Sequence, residues 1–336
     1  MIKQPLPNPQ NKPGLISSIT AGFEAVARHP YLILPPILLD LFLWFGPRIR
    51  VKEIAAPFIT SLQQPPEIQN ADFSQLFTAT KELYLLLIER FNLFSGLRSL
   101  PVGIPSLISS LSPIANPIGN PITWEAGSLN FALLFWLVAG LIGMLGASIY
   151  FSLVNRVVNR DDHPINPGTI GWQTLQLVSL TIICIIAGLF ILLPAMMLVS
   201  FLTVLSPVLG QVAMFAAGLF ILSLLVPLLF APQGIYMQHL TANHAIVASS
   251  RLTRLNRPSV SLFFLAMVIL SQGLAMLWQV PDENSWFLLV GIAGHALVST
   301  SLLASIFIFY RENIKWAQAY INQIRPIAPT GNQGNS

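Results

Sequence analysis

Two ionisable side chains lie inside long apolar stretches of this sequence. Asp40 falls within the apolar run 31–47, and His295 falls within the run 286–310. If these runs cross a bilayer, a carboxylate and an imidazole at such depth are costly, and they could pass a proton or hold an ion between them. With two polar neighbours they form a candidate intramembrane polar site, which comprises Asp40, His295, Gln272 and Ser299.

The same residues also have a structural interpretation. Gly291, His295 and Ser299 recur every four residues and therefore share one helix face. Such a face suits either a polar track or a packing stripe of small residues. Asp40 follows a Pro-Pro pair at 35–36 and could accept hydrogen bonds from backbone N–H groups that a helix break near the prolines leaves unpaired. Both interpretations remain open at this point.

A basic segment, 241–258, could recognise anionic lipid. Its three arginines follow one another at a spacing of three, next to an apolar helical face. We expect the segment to lie flat on the membrane with the arginines toward anionic headgroups, although the same charges also act as a topology signal. The arginines are Arg251, Arg254 and Arg257, and the apolar face is Ala245, Ala248, Leu252 and Leu255.

The remaining chemical patterns are weak. The adjacent residues Asp-Asp-His at 161–163 seldom converge on one metal ion, and His239 and His244 are not at the helical spacing of a two-histidine site. The single cysteine, Cys184, excludes a disulfide or a thiolate cluster within the chain. We therefore expect no metal, no cofactor and no nucleic-acid partner.

The composition indicates a membrane protein. Hydrophobic residues make up 54% of the 336 residues and charged residues only 9%, whereas soluble domains carry about 25% charged residues. Residues 163–250 contain no Asp, Glu, Lys or Arg over 88 positions. A span needs roughly 20 apolar residues, so this stretch alone holds two spans. A soluble fold is excluded.

Six apolar segments approach the length of a span. The prolines at 35–36 predict that the first is broken or entered in extended form. The short turn at 206–207 predicts an antiparallel hairpin between the third and fourth. The segments are 31–47, 131–154, 177–205, 212–231, 260–277 and 286–310. The predicted fold class is an all-α transmembrane helix bundle of about six spans.

Basic residues gather in the loops on one side of these spans. Lys and Arg in short loops resist translocation, so this side and both termini are predicted to be cytoplasmic, in the plasma membrane. Arg48, Arg50 and Lys52 lie on the other side, but they open a loop of about 80 residues, and long loops translocate largely regardless of charge. The cytoplasmic group is Lys3, Lys12, Arg28, Arg156, Arg160, Arg251, Arg254, Arg257, Arg311, Lys315 and Arg325.

These assignments divide the chain into five parts. Residues 1–30 form an interfacial amphipathic N-terminus, 31–47 the first span, 48–130 an extracytoplasmic loop, 131–310 a five-span bundle and 311–336 a cytoplasmic tail. Within the loop, 81–100 suits a helix lying against the membrane. The proline-rich stretch 99–124 is either re-entrant or packed on the bundle surface.

A small-residue stripe predicts close packing on the second span. Ala139, Gly143 and Ala147 recur every four residues, which would let another helix approach closely.

Short motifs resemble bacterial multi-pass proteins related to the membrane domain of glycerophosphodiester phosphodiesterases and similar helical bundles. The resemblance implies a fold rather than an activity, since the soluble catalytic domain of some relatives has no counterpart here. The motifs are Ala231-Pro232, Ala245 to Ala248, Ser250-Arg251-Leu252 and Asn256, with Gly22-Phe23, Arg28-His29-Pro30 and Leu38-Leu39-Asp40 near the N-terminus.

The functional expectation is a non-enzymatic bundle in membrane organisation, assembly or a transport system. Its predicted partners are the lipid bilayer, including anionic lipid at 251–257, and other membrane proteins. The first alternative is a small secondary carrier that uses the candidate polar site. The second is an intramembrane enzyme, since Gly146-Ala147-Ser148-Ile149 resembles the G-x-S-x string of rhomboid-type proteases. The glycines expected around that family's histidine are not matched at His295.

Overall fold

The computed structural model describes residues 13–62, 71–99, 102–160 and 166–324. These residues are almost entirely helical. The α-helices are α1 Leu15–Arg28, α2 Leu34–Phe45, α3 Lys52–Ser61, α4 Ala71–Arg90, α5 Ile108–Leu111, α6 Leu129–Asn159, α7 Pro167–Leu205, α8 Pro207–Leu225, α9 Ala231–Gln238, α10 Ala242–Leu255, α11 Arg257–Trp278 and α12 Leu288–Ile324. The 3-10 helices are Pro30–Ile33, Leu93–Arg98 and Val226–Leu228, and the strands are β1 Arg48–Arg50 and β2 Thr123–Glu125.

Five of the described helical segments are long and apolar enough to cross a membrane. They are Leu129–Asn159, Pro167–Leu205, Pro207–Gln238, Arg257–Trp278 and Leu288–Gln323. A sixth is counted only if Leu15–Arg28 and Pro30–Phe45 act as one broken span. The protein is therefore a helical membrane protein with five or six candidate spans, as the sequence predicts.

The structure corrects the first span and the C-terminal tail. Residues Pro30–Ile33 enter as a 3-10 helix and not in extended form. Pro35 and Pro36 fall in the first turn of α2, where a missing N–H breaks no intrahelical hydrogen bond, so the helix continues to Phe45. Helix α12 runs on to Ile324, so the described part of 311–336 extends the last helix and is not a separate tail.

The chain folds into two compact units. The first unit contains Val26–Ile186 and Leu270–Thr300. The second unit contains Ala187–Ile269 with the described residues up to Ala25 and from Ser301 onward.

In the first unit, the 3-10 helix Leu93–Arg98 packs between α2 and α6. Phe94 makes edge-to-face contacts with Phe42 of α2 and Phe135 of α6, at ring-centroid distances of 5.3 and 5.0 Å. Gly96 lies against Trp136, where an added Cβ would stand 3.1 Å from the indole ring. The aromatic contacts of Phe94 and the absence of a side chain at Gly96 thus let this 3-10 helix, which lies outside the candidate spans, approach α6 closely.

The described residues of the segment 48–130 belong to the first unit. Strands β1 and β2 pair in parallel, with Arg48 opposite Thr123 and Arg50 opposite Glu125. Helix α4 ends at Arg90 and is not among the candidate spans, so it covers only the first half of the predicted helix 81–100. The second half contains the separate 3-10 helix Leu93–Arg98. The outer face of α4 leaves Leu83 and Leu87 about half exposed, which suits contact with lipid.

In the second unit, α10 and α11 pack against α12. Phe263 of α11 stacks on Phe309 of α12 with a ring-centroid distance of 3.9 Å. The amide nitrogen of Asn256, between α10 and α11, donates a 2.8 Å hydrogen bond to Asn313 of α12. Both asparagines are fully buried, so this bond holds the helix junction in place.

Candidate polar site at Asp40

Asp40 lies in the middle of α2 and is fully buried. Its carboxylate accepts three hydrogen bonds from one short stretch of the chain. The Ser106 hydroxyl donates at 2.5 Å, and the Leu107 and Ile108 amides donate at 3.1 Å each. A buried carboxylate with three donors is compensated without an ion-pair partner. Asp40 therefore anchors this stretch, which is separated from it by more than 60 residues in sequence.

The stretch that Asp40 anchors is the inserted segment, which we define as residues 102–112. Leu107 and Ile108 are buried in one apolar cluster with Leu43 and Trp44 of α2 and Ile292 of α12. The inserted segment therefore packs against both α2 and α12. For these residues, the structure agrees with the interpretation of 99–124 as a segment packed on the bundle.

The fold of the inserted segment supplies the donors for Asp40. The Ser106 hydroxyl also accepts the Ser109 amide at 3.0 Å, which fixes the first turn leading into α5. The first amides of a helix have no partner within that helix, and the Asp40 carboxylate provides acceptors for two amides at this turn. The negative charge lies at the favourable end of the short helix.

Asp40 and His295 share a neighbour and do not pair directly through any described hydrogen bond. Arg98, at the end of the 3-10 helix, lies within electrostatic range of both side chains. Its guanidinium donates to the Ser110 hydroxyl at 3.3 Å. The structure therefore adds Arg98, Ser106 and Ser110 to the polar residues around Asp40, and leaves the predicted pair without a direct contact.

The other two predicted site residues do not join Asp40. Gln272 of α11 is exposed. The Ser299 hydroxyl donates to the His295 carbonyl of its own helix at 2.7 Å, so its hydrogen is used locally. Gly291 is a packing position, because an added Cβ would stand 2.5 Å from the Trp278 carbonyl oxygen. At Gly291 the helix face of 291, 295 and 299 is therefore a packing surface.

A second polar cluster surrounds Glu283, in the turn between α11 and α12. Its carboxylate accepts the Arg90 guanidinium at 2.6 Å and the Ile114 amide at 3.1 Å. Its backbone carbonyl accepts the Trp44 indole N–H at 3.1 Å. One residue thus joins the ends of α2 and α4 to the segment after α5. The sequence itself shows here only two adjacent acidic residues, Asp282 and Glu283.

The small-residue stripe on α6 is buried, but its neighbour at Gly143 is not a spanning helix. Ala139 is 4% exposed and Ala147 is fully buried. A Cβ added at Gly143 would overlap the backbone carbonyl of Leu97. The predicted close approach thus exists at Gly143, and the approaching backbone belongs to the 3-10 helix Leu93–Arg98.

The basic segment 241–258 differs in part from the prediction. Arg251 and Arg254 are exposed on α10, whereas Arg257 begins α11. Leu255 is 45% exposed and does not belong to the buried face, which instead includes Ser249. The reason is local: the Ser249 hydroxyl donates to the Pro227 carbonyl at 2.5 Å and accepts the Phe230 amide at 3.1 Å.

Two weaker patterns can be placed only partly. Ser148 is fully buried on α6, so its hydroxyl is closed to bulk water. The Asp-Asp-His run at 161–163 lies outside the described residues. Within the described residues, no group of three or more His, Cys, Asp or Glu side chains could hold a metal ion.

Sequence reasoning missed most partners of Asp40 and Glu283. Ser106 belongs to a proline-rich stretch with no regular hydrophobic period, and Arg98 lies at the end of a segment predicted to lie against the membrane, so nothing indicated that either side chain faces Asp40. One signal was available, since Ser106 and Ser109 are at the spacing of a helix-start motif. The motif marks the start of a helix, where the first amides have no partner within the helix. Those amides need an acceptor, and the Asp40 carboxylate provides one.

Comparison of the chain with protein-family models, with curated proteins and with solved structures finds no match. The resemblance to the membrane domain of glycerophosphodiester phosphodiesterases therefore stays a prediction.

Proposed function

We propose that the protein is a non-enzymatic membrane scaffold that acts in membrane organisation, assembly or a transport system. The observation that carries the proposal is the hydrogen bonding of the Asp40 carboxylate. Both carboxylate oxygens accept hydrogen bonds from the inserted segment, so the buried charge holds the fold together. A site poised for transport would keep an acceptor open toward a water-filled path.

A small secondary carrier is the second candidate, and one observation favours it. Asp40 and His295 both lie near Arg98, which gives three ionisable groups in one neighbourhood of the first unit. Carriers place such groups beside interrupted helices, and the inserted segment interrupts the helical packing here.

Proton flux separates the two candidates. We expect liposomes containing the purified protein to dissipate a pH gradient no faster than protein-free liposomes, because the Asp40 carboxylate is occupied by donors of its own chain. The readout is a pH-sensitive dye inside the liposomes. A flux well above the protein-free control that falls in Asp40→Asn would overturn the scaffold proposal and support the carrier.

The proposed scaffold lies in the plasma membrane with both termini in the cytoplasm. The support is the placement of basic residues, which collect in the short loops on one side of the spans. On this proposal the exposed Arg251, Arg254 and Arg257 face the cytoplasmic leaflet, where each contributes about 1 kcal/mol of attraction to anionic lipid.

Cysteine labelling tests this orientation. In a Cys184→Ala background, Asn120→Cys should react with a membrane-impermeant maleimide in intact cells, because the 48–130 segment is proposed to face outward. Arg254→Cys, which is also at an exposed position, should react only after lysis. The reverse pattern of labelling would contradict the orientation.

A further inference from the structure

A pocket lies between the end of α11 and the start of α12, in the first unit. Its volume is about 490 Å³, which falls within the roughly 300–1,000 Å³ of pockets that hold small molecules. The turn between the two helices and the adjacent helix ends line it. The lining includes Leu277, Trp278, Val280, Asp282, Ser285 and Phe287.

Two glycines of α12 hold one wall of this pocket in place. A Cβ added at Gly294 would stand 2.6 Å from the six-membered ring of Trp278, and a Cβ at Gly291 would stand 2.5 Å from the Trp278 carbonyl oxygen. The absence of side chains at both positions lets Trp278 lie directly against α12. The wall that Trp278 forms is therefore fixed by packing within the chain, and a ligand need not order it.

The other walls are apolar and accessible. Leu277, Val280 and Phe287 are each more than half exposed, as is Val290, which also lines the pocket. Leu277 lies at the end of one candidate span and Val290 at the start of another. The pocket surface is thus continuous with side chains that face lipid, which favours an occupant with an apolar body over a fully hydrophilic one.

Asp282 supplies the only charge in the lining. It is exposed, and no described cation lies within 4 Å of its carboxylate. The adjacent Glu283 differs, because its carboxylate accepts the Arg90 guanidinium and the Ile114 amide. The fold therefore uses one acidic residue of this turn and leaves the other accessible at the pocket.

The polar part of the lining suits an ammonium group better than a metal ion. The Ser285 amide donates to the Asp282 carbonyl at 3.0 Å, so one tight turn carries both polar residues. A carboxylate and a hydroxyl are too few ligands for calcium or magnesium, which take about six or more oxygens. An ammonium group needs one counter-charge, and the rings of Trp278 and Phe287 can add cation–π attraction.

We propose that this pocket binds an amphiphilic ammonium compound, with Asp282 as the counter-ion and the apolar walls around the ligand's hydrocarbon part. Charge complementarity selects the ligand class, since the lining holds one carboxylate and no Lys, Arg or His. An anionic amphiphile would meet repulsion at the same place. The site is separate from the scaffold proposal, because no lining residue is a hydrogen-bond partner of the Asp40 carboxylate.

The test is a thermal-shift titration of the full-length protein in dodecyl maltoside, an uncharged detergent, at pH 7 and constant ionic strength. The probes are octylammonium, octanol and octanoate, which share one apolar chain and differ in charge. We expect octylammonium to raise the Tm of the wild type by about 3 °C or more at saturation. Octanol should give less than about half of that shift, and octanoate should give none.

Variants show whether the shift comes from this pocket. Asp282→Asn should lower the octylammonium shift to that of octanol, whereas the matched control Glu82→Gln, which removes an exposed carboxylate of α4 outside the lining, should retain it. Val280→Trp, at an exposed lining position, should reduce the shift because the larger side chain takes up space in the pocket. No shift with octylammonium, equal shifts with octylammonium and octanol in the wild type, or an undiminished shift in Asp282→Asn or Val280→Trp would overturn the proposal.

Discussion

Replacing Asp40 with alanine should lower the free energy of unfolding by at least about 3 kcal/mol, one of the two largest effects we expect for a single substitution. The change leaves three buried donors without an acceptor, namely the Ser106 hydroxyl and the Leu107 and Ile108 amides. Each unsatisfied buried donor costs about 1–3 kcal/mol. Thermal unfolding of the purified protein in detergent measures the loss.

Two further variants grade the effect at Asp40. Asp40→Asn keeps one acceptor oxygen but turns an N–H group toward another donor, so its loss of stability should lie between those of wild type and Asp40→Ala. Ser106→Ala removes the hydroxyl together with the hydrogen bond that it donates to Asp40. It should lower the free energy of unfolding by about 1 kcal/mol. A Tm of Asp40→Ala within about 1 °C of the wild type would contradict the anchoring role.

The second large effect is expected at Gly143 of α6. A methyl group there overlaps the backbone carbonyl of Leu97, which cannot turn away as a side chain would. Overpacking of this kind costs about 1–3 kcal/mol with alanine, and Gly143→Leu should separate the 3-10 helix from α6. Thermal stability is again the measurement.

Gly140 provides a matched control on the same helix. A Cβ added there meets nothing within 4 Å, so Gly140→Ala should be neutral or should stabilise the helix by up to about 1 kcal/mol. Gly143→Ala should therefore lower the free energy of unfolding, whereas Gly140→Ala should leave it unchanged or raise it. Equal stabilities of Gly143→Ala and Gly140→Ala would show that the close approach of Leu97 to α6 is absent.

The sequence predicted the five candidate spans between 129 and 323 because each carries a strong local signal. The charge-free run 163–250 specified α7 and α8, and the structure places a single residue, Ser206, between those two helices. The amphipathic N-terminus is the helix α1. Such features depend on composition and periodicity within a short window, which a single sequence contains in full.

The candidate site could not be assembled in the same way. The sequence identifies Asp40 correctly as an exceptional buried carboxylate, but its partners Ser106 to Ile108 lie in a proline-rich stretch without periodicity. A sequence shows directly which polar side chains lie within the spans, but it does not show which backbone amides are unpaired. His295 was therefore predicted as the partner of Asp40 in place of backbone amides. Which amides remain unpaired depends on where a short helix such as α5 begins, and a helix of four residues leaves no clear pattern in sequence.

At Arg48, sequence reasoning failed in a different way, because it did not reveal that the residue is buried. With Arg50 and Lys52 it stands in the sequence only as an exception to the charge rule. Its burial follows from the pairing of β1 with β2 across more than 70 residues, which no local pattern reveals. Strand pairing places Arg48 inside the first unit, whereas Lys52 remains half exposed.

The central claim, that Asp40 anchors the inserted segment, is tested most directly by amide hydrogen exchange at Leu107 and Ile108. In the wild type these two amides should be protected, because both donate to a buried carboxylate. In Asp40→Asn they should exchange at least about tenfold faster, which corresponds to about 1.4 kcal/mol, while the amides in the middle of α6 keep their rates. Exchange at the rate of an open loop in the wild type, or equal rates in the wild type and the variant, would contradict the claim.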